Sequence, residues 1–246
     1  MMKKLLSTRK KHNKGFTLVE MSIVLVIIGL IIGGILTGKE LIFSAKIKRT
    51  VSDIEKYQLA FNAFILKFDE IPGDMTYAAS IWPSCPDVVG NNCNGNGDGR
   101  ITGDEKFRAW QHMALAEIIP GSYTGVYANA VYYAPGGNVP ATDLHTRGCY
   151  DILTKTISPV LYYKNHTGIS LTLGTRGWGH CVGSIMTPSY ALGIDMKMDD
   201  GHERTGKMFI ANGSGHWARC LTGGSYPHYL RKTVTDTVCY IHRWMD

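Results

Sequence analysis

Asn94, Asn96, Asp98, Arg100, Thr102 and Glu105 lie in one twelve-residue stretch, Asn-Gly-Asn-Gly-Asp-Gly-Arg-Ile-Thr-Gly-Asp-Glu. Counting Asn94 as position 1 places side-chain oxygens at positions 1, 3, 5 and 9, the Arg100 carbonyl at 7 and Glu105 at 12. Gly99 at position 6 allows a sharp turn, and Ile101 at position 8 is apolar. Calcium takes about six to eight oxygens in flexible geometry, and a terminal Glu can offer two at once. The spacing therefore predicts a structural calcium loop. Of the side chains expected to bind the ion, only Asp98 and Glu105 bring formal charge, which points to an affinity of ~10⁻⁴–10⁻³ M. Phe107, Trp110, Ala114 and Ile118 predict a helix leaving the loop, whereas Pro86–Asn92 does not read as a helix entering it. The loop is then a half site.

Cysteines stand at 85, 93, 149, 181, 220 and 239, with no CxxC pair among them, which disfavours a zinc knuckle and a thioredoxin-like site. An even count in an exported domain points to disulfides. Fifteen pairings are open, and proximity in sequence favours Cys85 with Cys93, Cys149 with Cys181 and Cys220 with Cys239. Nine histidines show no metal spacing, His180, His202, His216, His228 and His242 included. Gly213-Ser214-Gly215-His216 is not a nucleophile elbow, because Asn212 stands where a glycine is required. The expectation is no enzyme.

The elements that must carry these groups begin at the N-terminus. Lys3, Lys4, Arg9, Lys10, Lys11 and Lys14 precede residue 16 with no acidic residue among them. The chain's 26 basic residues against 20 acidic ones thus reduce to 20 against 20 beyond the leader. That balance disfavours a globally basic DNA-binding domain, though not a local basic patch. Phe16 to Leu36 follows with one ionisable group, Glu20, and is long enough to cross a hydrocarbon core of about 30 Å. The stretch exceeds the ~7–15 apolar residues of a cleaved signal peptide. The basic flank keeps residues 1–15 cytoplasmic and sends the rest out. A carboxylate inside a membrane helix is costly and is a functional residue by default.

The motif Lys14-Gly15-Phe16-Thr17-Leu18-Val19-Glu20 closely resembles the type IV prepilin signal. In that family a prepilin peptidase cuts after the glycine and methylates the new amine. The resemblance implies cleavage between Gly15 and Phe16, with Glu20 as the fifth mature residue. It further implies that Glu20 pairs with the Phe16 amine of a neighbouring subunit during assembly. A charge that is unpaired until assembly acts as a registry device. The twelve-residue loop of the head is likewise similar to EF-hand and dockerin half sites. Phe68-Asp-Glu-Ile-Pro-Gly-Asp74 resembles the stem exit of many pilins and pseudopilins.

Beyond Leu36 the helical pattern continues. Ile47, Val51, Ile54, Phe61, Ile65 and Phe68 form a stripe that Tyr57 and Phe64 widen, and Pro72 is expected to end it. A helix over 17–70 would be about 80 Å long. Leu192, Ile194, Met196 and Met198 alternate with Gly193, Asp195 and Lys197 as in a half-buried strand, and Asp199-Asp200-Gly201 turns the chain toward a second strand at Lys207–Ala211. That segment also resembles a pseudopilin head hairpin.

The fold class expected is α+β. A removed leader (1–15), a transmembrane or filament-core helix (16–36) and an amphipathic stem (37–71) precede a globular head (72–246). The head carries a small antiparallel sheet and a loop-rich C-terminal region. The function expected is a minor or specialised subunit of a type IV pilus or type II secretion pseudopilus. Its partners would be other subunits, the prepilin peptidase and an inner-membrane assembly platform, with no nucleic acid. It would start in the inner membrane with its head outside the cytoplasm. The rivals are an anchored calcium-binding or adhesive head that never polymerises, and a DNA-uptake pilin.

Overall fold

A run of 51 helical residues, α1 (Leu18–Phe68), dominates the chain. The computed structural model describes residues 15–85, 93–126, 133–157, 166–177, 180–202, 205–213, 220–221 and 235–245. The basic leader before Gly15, Pro86–Asn92, His216 and His228 lie outside them. The molecule divides into two units, Met1–Lys46 and Ile47–Asp246.

In the first unit α1 starts with a capping box. The Glu20 Oε2 accepts from the Thr17 N–H at 2.7 Å and from the Thr17 hydroxyl at 2.8 Å, and the Glu20 N–H donates to Thr17 Oγ1 at 3.2 Å. Reciprocal bonds of this kind satisfy amides that the helix itself leaves open. Phe16, Leu18, Ile23, Leu25, Leu30 and Leu36 all lie exposed. Among the described residues nothing covers this apolar surface, which suits a lipid or a filament environment. Among the described residues α1 is the one helix long and apolar enough to cross a membrane.

In the second unit α1 buries Ile47, Thr50, Ile54, Tyr57, Ala60, Phe61 and Phe64. The centre of that face is Phe64, with Val51, Ile65 and Phe68 on its edge rather than at its middle. Thr50 belongs there because its hydroxyl meets the Tyr190 hydroxyl at 2.9 Å. The helix stops at Phe68, ahead of Pro72, because Asp69 turns left-handed with φ 55°.

After α1 come α2 (Ala78–Ile81) and α3 (Glu105–Leu115), then β1 (Gly148–Ile157), β2 (His166–Thr175), α4 (Pro188–Met198), β3 (Met208–Asn212) and β4 (Cys239–Trp244). The strands form one sheet in the order β1-β2-β4-β3, antiparallel throughout. Tyr150, Leu173, Ile241 and Ile210 make a cross-strand row that is buried, and Tyr150 meets Tyr57 of α1 with ring centroids 4.9 Å apart. Arg243 on the same face donates to Gln58 of α1 at 2.9 Å. The sheet therefore rests on the stem, as an α+β head requires.

The strand expected at Leu192–Met198 is corrected to helix α4. Thr187 caps it by accepting from the Tyr190 N–H at 3.3 Å, and Pro188 occupies its first turn. Tyr190, Ala191, Ile194 and Asp195 are buried while Met196 is exposed, a helical face and not alternation. The second expected strand exists as β3, but it pairs with β4. Between α4 and β3, Asp199 Oδ2 accepts the Lys207 and Met208 N–H groups at 2.6 and 2.7 Å and fastens the turn. Disulfides join Cys85 to Cys93, Cys149 to Cys181 and Cys220 to Cys239. Each cysteine takes its neighbour in sequence, which closes short loops.

Candidate functional site

The loop from Asn94 to Glu105 wraps around a carboxylate that lies outside it. Asp74, at the end of the Pro72-Gly73-Asp74 exit from α1, is 2% exposed. Its Oδ1 accepts from the N–H groups of Gly97 at 2.7 Å and Asp98 at 3.1 Å, and its Oδ2 accepts from Gly99 at 2.8 Å. Gly73 makes this approach available through φ 91°, and a Cβ there would stand 2.9 Å from the Ala109 nitrogen. Gly95 is equally obligatory, since a Cβ on it would collide with the Asp74 backbone.

Within the loop the Asn96 side chain accepts from the Asp98 N–H, and Asp98 from the Arg100 N–H, both at 2.9 Å. These turns direct successive oxygens toward one side. Glu105 begins α3 and is 5% exposed. Its Oε1 accepts from the Asn96 N–H at 3.1 Å and its Oε2 from the Thr102 N–H at 2.9 Å. Burial pushes the Glu105 carboxyl above the usual range, with Asp74 and Asp98 adding to the rise and the two N–H groups opposing it. Asn94 behaves differently. Its side-chain oxygen accepts from the Ala79 N–H of α2 at 2.8 Å, so it ties the loop to α2 while Asp74 takes the centre.

Carboxylate oxygens of Asp74, Asp98 and Glu105 lie within 4.8 Å of one another. A cavity of about 410 Å³ opens beside them, lined by Asn94, Asn96, Thr102, Glu105 and Arg108 among others. An all-oxygen donor set carrying three carboxylates suits a hard divalent cation, and the absence of sulfur and imidazole from the set disfavours zinc. The residues present therefore fit calcium. Ile101, the apolar position 8, docks on the sheet edge: its N–H donates to Thr154 Oγ1 at 2.7 Å and its carbonyl accepts from the Thr154 N–H at 2.9 Å. Strand β1 thus closes one side of the loop. The helix that leaves it is α3, which ends at Leu115 and leaves Ile118 beyond it.

Two residues of this region escaped the sequence reading. Asp74 is twenty positions upstream of Asn94, and the one clue to it was the uncharged residue at position 1. His112 gave no spacing signal at all. It is fully buried, accepts from the Gly73 N–H on Nδ1 at 2.9 Å, and donates from Nε2 to the Cys93 carbonyl at 2.8 Å. Gly73 can only donate, so the neutral Nε2–H tautomer follows from the bonding. Burial pushes the His112 pKa down to about 4. Below pH 6.5 the unfolded chain gains a proton there that the folded chain refuses, so stability falls with pH through that window. The loss reaches about 3 kcal/mol at pH 4. His242, buried and also shifted down, contributes in the same direction. Urea unfolding of the full chain in detergent, without calcium, should show this slope, and His112→Gln should flatten it. Equal slopes for the two proteins would mean that the folded imidazole protonates normally.

Glu20, Gly15 and Phe16 lie in the other unit. Phe16 is exposed, and nothing stands within 4 Å of a Cβ built on Gly15. Residues 10–36 match the family model described as the prokaryotic N-terminal methylation motif. No curated protein and no solved structure gives a match to the chain. The matched segment spans the glycine, the aromatic residue after it, Glu20 and the exposed apolar half of α1. Over residues 10–36 the chain thus carries the prokaryotic N-terminal methylation motif, which supports a type IV pilin- or pseudopilin-like precursor.

Proposed function

We propose that the chain is a minor or specialised structural subunit of a type IV pilus or a type II secretion pseudopilus. A prepilin peptidase cuts between Gly15 and Phe16. The apolar half of α1 then holds the subunit in the inner membrane, with the head outside the cytoplasm, until an assembly platform moves it into a filament. The observation that carries this reading is the methylation motif on a helix whose apolar half is exposed on every side. Glu20 is the one ionisable side chain between 16 and 36, and its capping bonds to Thr17 hold the carboxylate beside the cut site. A neighbour's Phe16 amine is the cation that would neutralise it. The head, at about 170 residues, is larger than a filament core alone requires, which supports a specialised subunit.

Glu20→Ala tests the assembly role. The variant should still be processed and membrane-held, yet be missing from sheared filaments or pseudopili. Filaments containing it at the wild-type level would favour the rival of an anchored head that never uses this contact.

The head's loop supports a second reading, calcium binding. Asp74 raises the number of candidate carboxylate ligands from the loop's two, Asp98 and Glu105, to three, and charge count is a main determinant of calcium affinity. The ion would bind Asp74, Asp98 and Glu105, with Asn96, Thr102 and the Arg100 carbonyl completing the shell. Bound there, it supplies charge neutralisation and cross-linking, and no catalysis. It would join the stem exit, α3 and the sheet edge in one cluster.

A further inference from the structure

The oxygens proposed for calcium come from two separate pieces of chain, the stem exit at Asp74 and the loop from Asn96 to Glu105. Five hydrogen bonds join these pieces directly against the repulsion of the carboxylates: the Asp74 carboxylate accepts from the Gly97, Asp98 and Gly99 N–H groups, the Asp74 carbonyl from Gly97 and the Met75 carbonyl from Gly95. One face of α3 adds a brace. Glu105, Arg108 and His112 follow each other at helical spacing, and each bonds the loop: Glu105 at Asn96 and Thr102, Arg108 at the Asn94 carbonyl (2.8 Å) and His112 at the Cys93 carbonyl. Only His112 also reaches the other piece, through the Gly73 N–H next to Asp74.

We propose that His112 is a positioning residue of the calcium site: its neutral imidazole bridges Gly73 and Cys93, the residues next to Asp74 and Asn94, and so braces the direct bonds between Asp74 and the loop. The inference rests on the calcium reading. Four features make the bridge stiff. The ring lies parallel to Phe64 of α1, with centroids 6.1 Å apart and planes 18° apart, and Trp82 packs at 5.9 Å. Cys93 is pinned by its disulfide to Cys85. Gly73 is wedged against the α3 backbone, where no larger residue fits. The ring is fully buried, so water does not compete for either nitrogen. A bridge that is formed in advance spares the ion the cost of ordering two segments.

The test is isothermal titration of the full chain in detergent with calcium at pH 7, well below the melting temperature. His112→Phe keeps a ring but loses both bonds, and should weaken calcium binding by ~10-fold or more, the usual range for groups that orient metal ligands. His112→Gln retains one donor and one acceptor and should stay within about threefold of wild type on the same scale. If the Phe variant binds calcium as wild type does while merely melting lower in chelator, His112 is structural and the proposal fails. If wild type itself takes up no calcium, the calcium reading falls first and this one with it. Should the Phe variant not fold, histidine nitrogen NMR of the wild type decides. The Nε2–H tautomer with both bonds must be present in chelator, and a bridge that forms only on adding calcium overturns the proposal.

Discussion

Gly15→Trp leaves the full-length precursor in the membrane, heavier than the mature subunit by about fifteen residues, the leader length set by the motif, and with an unmethylated amine. The expected effect is close to all-or-none. Among the described residues nothing opposes a side chain at this position, since a Cβ on Gly15 meets no atom within 4 Å. The helix starts only at Leu18, and the Thr17–Glu20 capping bonds do not involve Gly15. Any block must therefore arise where the peptidase closes on the scissile bond. Intact-mass measurement of the purified variant decides it: a mature mass equal to wild type would remove the peptidase reading. An unprocessed Gly15→Trp beside a processed Glu20→Ala would separate cleavage from assembly.

Asp74→Asn should abolish most of the stabilisation that calcium gives the head. A bound ion stabilises by RT ln(1 + [Ca]/Kd), about 1.4 kcal/mol at ten times Kd, and about 2.7 kcal/mol at a hundred times. For a unit of about 200 residues each kcal/mol raises the melting temperature by roughly 2–4 °C. The wild-type chain in detergent should thus melt several degrees higher in millimolar calcium than in chelator. Asp74→Asn keeps a polar side chain among the amides of Gly97, Asp98 and Gly99 but removes the charge at the centre. Its calcium shift should shrink to nearly nothing, and Glu105→Ala should do the same. Magnesium should stabilise poorly, because it demands a tighter octahedron. A full calcium shift in Asp74→Asn would restrict the ligands to the loop. No shift in wild type would reduce the loop to a glycine-rich turn.

The elements that the amino-acid pattern makes legible are those whose cause is local. The apolar run after Phe16 is long enough to cross a bilayer whatever the rest of the chain does. The Thr17-to-Glu20 spacing places a cap within one helical turn, and α1 runs on to Phe68 through residues with one apolar face. The loop register is local as well, since the turns of Asn96 and Asp98 depend only on residues two positions on.

Packing decided the rest. Leu192, Ile194, Met196 and Met198 alternate perfectly, yet the Thr187 cap and the helical burial of Tyr190, Ala191 and Ile194 make the segment α4. A short apolar alternation is compatible with either period, and the partner surface selects one. Strand β3 accordingly lost its expected partner and took β4, thirty residues downstream.

The amino-acid sequence by itself determined the N-terminal methylation motif, the membrane-length helix and the order of oxygens in the loop, because each is a contiguous run read at a fixed spacing. Only the tertiary structure brought Asp74 into the centre of that loop, closed one side of it with Thr154 and buried His112 between Gly73 and Cys93. Those contacts join residues far apart in the chain. Their distances are set by how α1, α3 and β1 pack, and no local spacing encodes them.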